Sequence, residues 1–198
     1  MMRVIGLTGS VGAGKSTVGA LFREWGTTVI DADVLVHELQ RRGQPVFNAI
    51  VAAFGPGIVD VHGELDRKAL RTRILADAGE RSRLGALVHP AVLHRVGELI
   101  EAARARGDRL VIADIPLLFE VGDPTAYDGV IVVDAPLEER RHRLMEHRGL
   151  DAREIDQLVA AQLPSHKKRA RATWIIDNDR DRETLVLRAR TVWEALQR

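Results

Sequence analysis

RVIGLTGSVGAGKST, residues 3–17, runs from an apolar stretch through a glycine-rich turn to a lysine and two hydroxyl residues. Residues 3–8 read as a short buried strand. From Lys15 onward Val18, Leu21, Phe22 and Trp25 recur at i, i+3, i+4 and i+7, one face of an amphipathic helix, with Gly26 placed to end it. Between strand and helix, Gly9-Ser10-Val11-Gly12-Ala13-Gly14-Lys15-Ser16 matches G-x-x-x-x-G-K-[ST] in the context that motif requires. Gly9, Gly12 and Gly14 permit a close backbone approach that a Cβ would block. The resulting ring of N–H groups, at the positive end of a helix dipole, suits an anion with several oxygens. Gly12, Ala13, Gly14, Lys15, Ser16 and Thr17 are thus the expected triphosphate site. Lys15 meets the β- and γ-phosphates, Ser16 ligates the Mg2+ that bridges them, and Thr17 reaches the α-phosphate.

Outward from this loop the chain alternates strands with helices. Residues 28–31 (TVID) form a second short strand, and 109–114 (RLVIAD) and 129–134 (GVIVVD) are apolar runs ending in Asp, the pattern of parallel strands buried on both faces. A further run at 173–177 (TWIID) follows a basic stretch, and residues 181–197 close as a helix. Between Asp33 and about Arg106 the pattern is helical and charged, with breaks expected at Gly43-Gln44-Pro45, Gly55-Pro56-Gly57, His62-Gly63 and His89-Pro90. The reading is α/β, a parallel sheet flanked by helices with a helical insertion of about 70 residues after the second strand.

Composition narrows the function classes. The 198 residues carry a formal net charge of +1, with 45% hydrophobic and 29% charged residues, so no global field points to nucleic acid or anionic membrane. The absence of cysteine excludes thiolate nucleophiles and cysteine-based zinc sites and suits a reducing compartment. The seven histidines are scattered, which argues against structural zinc. With no signal-like start and no long apolar run, the expectation is a cytoplasmic protein.

Asp31 and Asp33 lie where the second strand ends, on the edge at which open α/β sheets bind ligands. Alternation along extended chain puts both on one side. Either carboxylate suits a base for an attacking hydroxyl or a holder of the metal's water shell, and Asp33 suits a helix cap equally well. Asp114 ends the third strand where a metal-contacting acid of a triphosphate enzyme would sit. A guanine-nucleotide switch is disfavoured, since Asp177-Asn178-Asp179-Arg180 lacks the lysine of N-K-x-D.

With these residues the chain resembles the dephospho-CoA kinase family over nearly its whole length. The resemblance rests on GLTGSVGAGKST at 6–17, VIDAD at 29–33, Phe54-Gly55, Leu65-Asp66-Arg67 with Leu70, His89-Pro90, IPLLFE at 115–120, spaced arginines at 140–148, Gln162 and IIDN at 175–178. It implies phosphoryl transfer from ATP to the ribose 3′-hydroxyl of dephospho-CoA. The implied fold is of the P-loop nucleoside monophosphate kinase type, a five-stranded parallel sheet with a helical substrate-binding insertion and a lid. The core then takes residues 1–32, 107–136 and 172–198, the insertion about 33–106 and the lid about 137–171.

The resemblance makes Asp33 the general base and Lys15 and Arg143 the charge stabilisers. Arg67, His89, Leu117 and Glu120 join Asp33 around the acceptor, and Asn178 lies near the adenine. Arg140, Arg143, His147 and Arg148 are the lid's candidates. The family commonly spaces a glutamine, an arginine three later and a second arginine four beyond; here those slots hold Arg140, Arg143 and His147, so His147 or Arg148 completes the lid. Ala172-Thr173 and Val61-His62-Gly63 depart from the family's Ala-Asp and Asp-Gly. The run Ser165-His166-Lys167-Lys168-Arg169-Ala170-Arg171 reads as a solvated or nucleotide-covering helix rather than a nucleic-acid patch. A monomer with ATP and dephospho-CoA as its partners is expected. A nucleoside monophosphate kinase and a nucleotide-dependent regulatory module are the alternatives.

Overall fold

A computed structural model describes residues 1–198. The chain divides into two compact units, one formed by residues 1–31 and 100–198 and the other by residues 32–99.

In the larger unit five parallel strands, β1 (Arg3–Gly9), β2 (Thr28–Asp31), β3 (Leu110–Asp114), β4 (Gly129–Asp134) and β5 (Trp174–Asp177), lie in the order β2-β3-β1-β4-β5. β3 is wholly buried, and β1 and β4 nearly so, as their unbroken apolar runs require. Four strands end in aspartate, and pairing sets Asp31 beside Asp114 and Asp134 beside Asp177. Ile5, Leu7, Ile112, Ile131, Val133 and Ile176 form the core with α1 (Lys15–Glu24) and the closing helix α10 (Arg182–Leu196). Trp193 of α10 meets Trp25 edge-on at 5.7 Å, and its indole N–H donates to Thr27 Oγ1 at 2.8 Å. Between β3 and β5 come α6 (Leu118–Val121), α7 (Leu137–Arg148), α8 (Ala152–Ala160) and α9 (Ser165–Arg169). Leu144, Leu150 and Ile155 build a small separate core for α7 and α8.

The smaller unit is helical: α2 (Ala32–Leu39), α3 (Pro45–Phe54), α4 (Arg67–Ala76) and the first part of α5 (Ala78–Arg106), which continues into the larger unit. Asp66 caps α4 by accepting from the Ala69 N–H at 2.9 Å. Phe54 lies between the guanidinium groups of Arg73 and Arg83, whose carbons stand 5.3 and 5.7 Å from the ring centre.

Two local readings need correction. The break expected at His89-Pro90 does not occur, because α5 runs through Pro90 without interruption. An interior proline costs about 3 kcal/mol and leaves the carbonyl four residues earlier without its donor. Ala86 and Pro90 are both exposed, so water can serve that carbonyl. The buried Val88, Val92 and Val96, four residues apart on one face, return about 1.5–3 kcal/mol each. The second correction concerns Asp33. β2 stops at Asp31 and the helix starts at Ala32, so strand alternation does not extend to Asp33, which sits exposed in the first turn of α2. It is not a cap residue, but its charge favours the helix's positive end.

Candidate active site

β1 delivers the chain to the phosphate loop and α1 receives it. Gly14 forms the N-cap of α1 with φ +94°, a left-handed conformation, and a Cβ there would come within 2.4 Å of Asn178 Nδ2. Gly12, at φ +77°, backs onto α7, where a Cβ would lie 2.8 Å from the Arg140 carbonyl oxygen. Both glycines are therefore fixed twice, by backbone angle and by crowding.

Lys15 Nζ donates to Asp114 Oδ1 in an ion pair whose carboxylate is 2% exposed. The loop's point charge is thereby aimed along the sheet's carboxyl edge before any phosphate arrives. Ser16 is exposed in the first turn of α1, and Thr17 follows half-buried. No group of three or more His, Cys, Asp or Glu side chains stands ready to hold a metal. Oxygen donors are what the edge offers: the Ser16 hydroxyl and the carboxylates of Asp31 and Asp114 at adjacent strand ends. That set fits a hard cation carried in on phosphate oxygens, not one caged by protein.

The other half of the edge is neutralised by arginine. Arg169 Nη1 donates to Asp177 Oδ1 at 2.5 Å and to Asp134 Oδ2 at 3.2 Å. The hydrogen bond that Arg169 donates to Asp177, more than any other influence, holds its guanidinium above the ordinary arginine pKa. The run 165–171 is divided: Lys168 is fully buried and ion-paired with Glu120 at 2.8 Å, and Arg171 lies over the Phe119 ring at 4.7 Å, while His166 and Lys167 are exposed.

The Asn178 side chain is buried behind the loop, where Nδ2 donates to the Ala13 carbonyl at 2.9 Å. Arg143 reaches the same spot, with Nη2 donating to the Asn178 carbonyl at 3.0 Å and Nη1 buried without a hydrogen-bond partner. Arg140 is buried against the loop as well, Nε donating to the Ala135 carbonyl at 3.1 Å. Burial pulls its pKa below the ordinary arginine value, and the charge of Asp134 opposes the shift. His147 and Arg148 are exposed on the last turn of α7.

Glu120 Oε1 accepts from the Leu163 N–H at 2.9 Å in addition to its ion pair, and Leu117 precedes α6 half-buried. In the helical unit, Arg67 opens α4 and its Nη1 donates to Gln40 Oε1 at 3.1 Å. The His89 ring lies over Gly85, and burial pulls its pKa below 6.5. The pairing of Ser165 and Arg169 with Asp134 is not among the sequence-based expectations. The signal available for it was the aspartate at the end of every strand but the first, which demands counter-charges.

Residues 3–183 match the family model for dephospho-CoA kinase. The chain belongs to the dephospho-CoA kinase family. A dephospho-CoA kinase from Symbiobacterium thermophilum is 44% identical over 194 residues, 98% of this chain and 81% of the relative. The crystal structure of the Thermus thermophilus protein TT1252 superposes with a TM-score of 0.83 at 36% identity, covering 98% of this chain and 97% of that one. A dephospho-CoA kinase from Campylobacter jejuni, 20% identical, shares the fold with a TM-score of 0.66 over 98% of this chain and 97% of its own. As a dephospho-CoA kinase family member the chain is a phosphotransferase, and its sheet is the P-loop nucleoside monophosphate kinase type expected from the sequence. No helix is long and apolar enough to cross a membrane.

Proposed function

We propose that the protein transfers the γ-phosphoryl group of ATP to the ribose 3′-hydroxyl of dephospho-CoA, giving CoA and ADP, the last step of coenzyme A synthesis. The observation that carries this reading is a phosphate loop with its lysine already aligned on Asp114, in a chain matched to the dephospho-CoA kinase family over residues 3–183.

Asp33 takes the proton of the 3′-hydroxyl as its oxygen bonds to the γ-phosphorus. The bond from that phosphorus to the β–γ bridging oxygen breaks, and ADP leaves. The transition state spreads charge over the transferring oxygens, and the proton departs late to the carboxylate. Lys15 and Arg143 stabilise that charge, with Arg140, Arg148 and His147 on the same helix. The loop from Gly12 to Thr17 holds the triphosphate, and Asn178 contributes by supporting Ala13. Arg67, His89 and Leu117 line the acceptor's side, and Glu120 steadies the wall through Lys168. Ser16 would hold a magnesium ion brought in with the nucleotide, and the ion would supply Lewis-acid charge neutralisation. Residues 137–171 form the lid and residues of about 33–106 the acceptor-binding insertion. The reading includes a monomer working in the cytoplasm, and a cysteine-free chain suits that reducing compartment.

The test is ADP release by the purified protein with Mg·ATP, offering dephospho-CoA, AMP, CMP, UMP or no acceptor. Release dependent on dephospho-CoA, with CoA as product, is expected. Release with a nucleoside monophosphate instead would overturn the acceptor assignment.

A further inference from the structure

The G-x-x-x-x-G-K-[ST] pattern leaves its second and third positions unspecified, yet here Ser10 and Val11 are bound more thoroughly than any phosphate contact requires. The Val11 N–H donates to Gln162 Oε1 at 2.8 Å. Its carbonyl accepts a long bond, 3.5 Å, from Arg140 Nη1. Its side chain packs into the small core of Leu144, Leu150 and Ile155 that α7 and α8 share. The Ser10 and Ser165 hydroxyls are 3.0 Å apart, and Ser165 Oγ donates to Asp134 Oδ1 at 3.0 Å. A hydroxyl has one proton to give, so Ser10 must donate to Ser165. The segment supplying these partners is itself tied down, by Lys168 on Glu120 of α6 and by Arg169 on the strand-end carboxylates of Asp134 and Asp177.

Such bracing has a physical reason. A ring of converging N–H groups repels itself until an anion enters, and a loop rich in glycine has the freedom to relax. Side chains fixed during folding can hold the ring open, so that binding does not bear the ordering cost. Gln162 and Ser165 do this from outside the loop, and they stand at the base of the same segment that carries Arg143.

We propose that Gln162 and Ser165 are positioning residues for the phosphate loop, and that Ser10-Val11 is the joint through which the arrangement of α7 and α8 sets the loop's N–H groups. The inference rests on the nucleotide-site reading above and extends it to a mechanical link between loop and lid.

The test compares Gln162→Leu, Ser165→Ala and Ser165→Thr with the unaltered protein. ADP affinity is read by calorimetry without acceptor, amide hydrogen exchange over residues 10–14, melting temperature, and KM for ATP against KM for dephospho-CoA. For Gln162→Leu and Ser165→Ala the expected result is a five- to tenfold loss of ADP affinity, about what one neutral hydrogen bond supplies. Exchange at residues 10–14 quickens and KM for ATP rises in step, while KM for dephospho-CoA stays within about twofold. Ser165→Thr, which keeps the hydroxyl, stays near the unaltered values. Unchanged ADP affinity and unchanged exchange in both variants would overturn the proposal, as would losses that merely track a lower melting temperature. If Gln162→Leu does not fold, the Ser165 pair decides alone. Because ADP binding needs no acceptor, a wrong acceptor assignment leaves this test intact.

Discussion

Replacing Lys168 by methionine isolates the energetics of the best-buried charge in the molecule. Lys168 is 0% exposed and its partner Glu120 is 13% exposed, with 2.8 Å between Nζ and Oε1. At an effective dielectric constant of about 20 the attraction is roughly 6 kcal/mol, most of it offset by the cost of stripping water from both groups. Removing one partner forfeits the attraction but leaves the other's desolvation in place. Glu120 then keeps a single donor, the Leu163 N–H, while Oε2, already without a hydrogen-bond partner, stays dry. Breaking a buried pair in this way costs about 3–5 kcal/mol, so Lys168→Met should lower the unfolding free energy by about 3–4 kcal/mol at pH 7, or roughly 10 °C in melting temperature for a chain of this length. Urea titration and a thermal melt measure the two figures. Adding Glu120→Gln should restore at least half, since the amide oxygen can still accept from Leu163. A loss under about 1 kcal/mol at pH 7, or a double variant no better than the single, would refute the account of a buried, compensated pair.

Three further outcomes are expected. Gly14→Ala puts a Cβ into a left-handed backbone at φ +94° and onto Asn178 Nδ2, so ADP affinity by calorimetry should fall at least about tenfold, and an undiminished affinity would count against the packing described. Asp33→Asn should lower turnover by about 10²- to 10⁴-fold while ADP binding stays within about twofold; near-normal turnover would remove Asp33 from the role of base. Burial holds the His89 pKa below 6.5, so the folded state binds fewer protons than the unfolded one. Its contribution is intact above about pH 6.5 and is lost progressively as the pH falls below that and through the lower folded-state value, so urea titrations at pH 7.5 and 5.5 should show a steeper decline for the unaltered protein than for His89→Gln.

The sheet was legible because each strand is a short apolar run with a polar stop, and the readings 109–114 and 173–177 each miss the observed start by one residue. The phosphate loop was legible because its residue types are dictated by backbone geometry. What stayed hidden depends on partners far off in sequence. Nothing local tells that Lys168 lies buried on Glu120 while its neighbour Lys167 is exposed, or that Asn178 turns toward Ala13. Continuity through Pro90 was hidden for a different reason: the local penalty was read correctly, but the burial of Val88, Val92 and Val96 outweighs it.

The four strand-terminal aspartates bring these threads to one point. A polyanion approaches an edge that carries Asp31, Asp114, Asp134 and Asp177, an arrangement that would repel it unless each charge is answered. On the β4–β5 side the answer is permanent, because Arg169 spans both carboxylates and Ser165 holds one of them. On the β2–β3 side the partner of Asp114 is Lys15, the residue a triphosphate also needs. Were Lys15 to turn to phosphate, Asp114 would lose this counter-charge, and a divalent cation brought in with the nucleotide would supply another. The division is thus one of exchangeability. The Asp134–Asp177 pair keeps its fixed arginine, whereas the Asp31–Asp114 pair would trade its lysine when substrate enters.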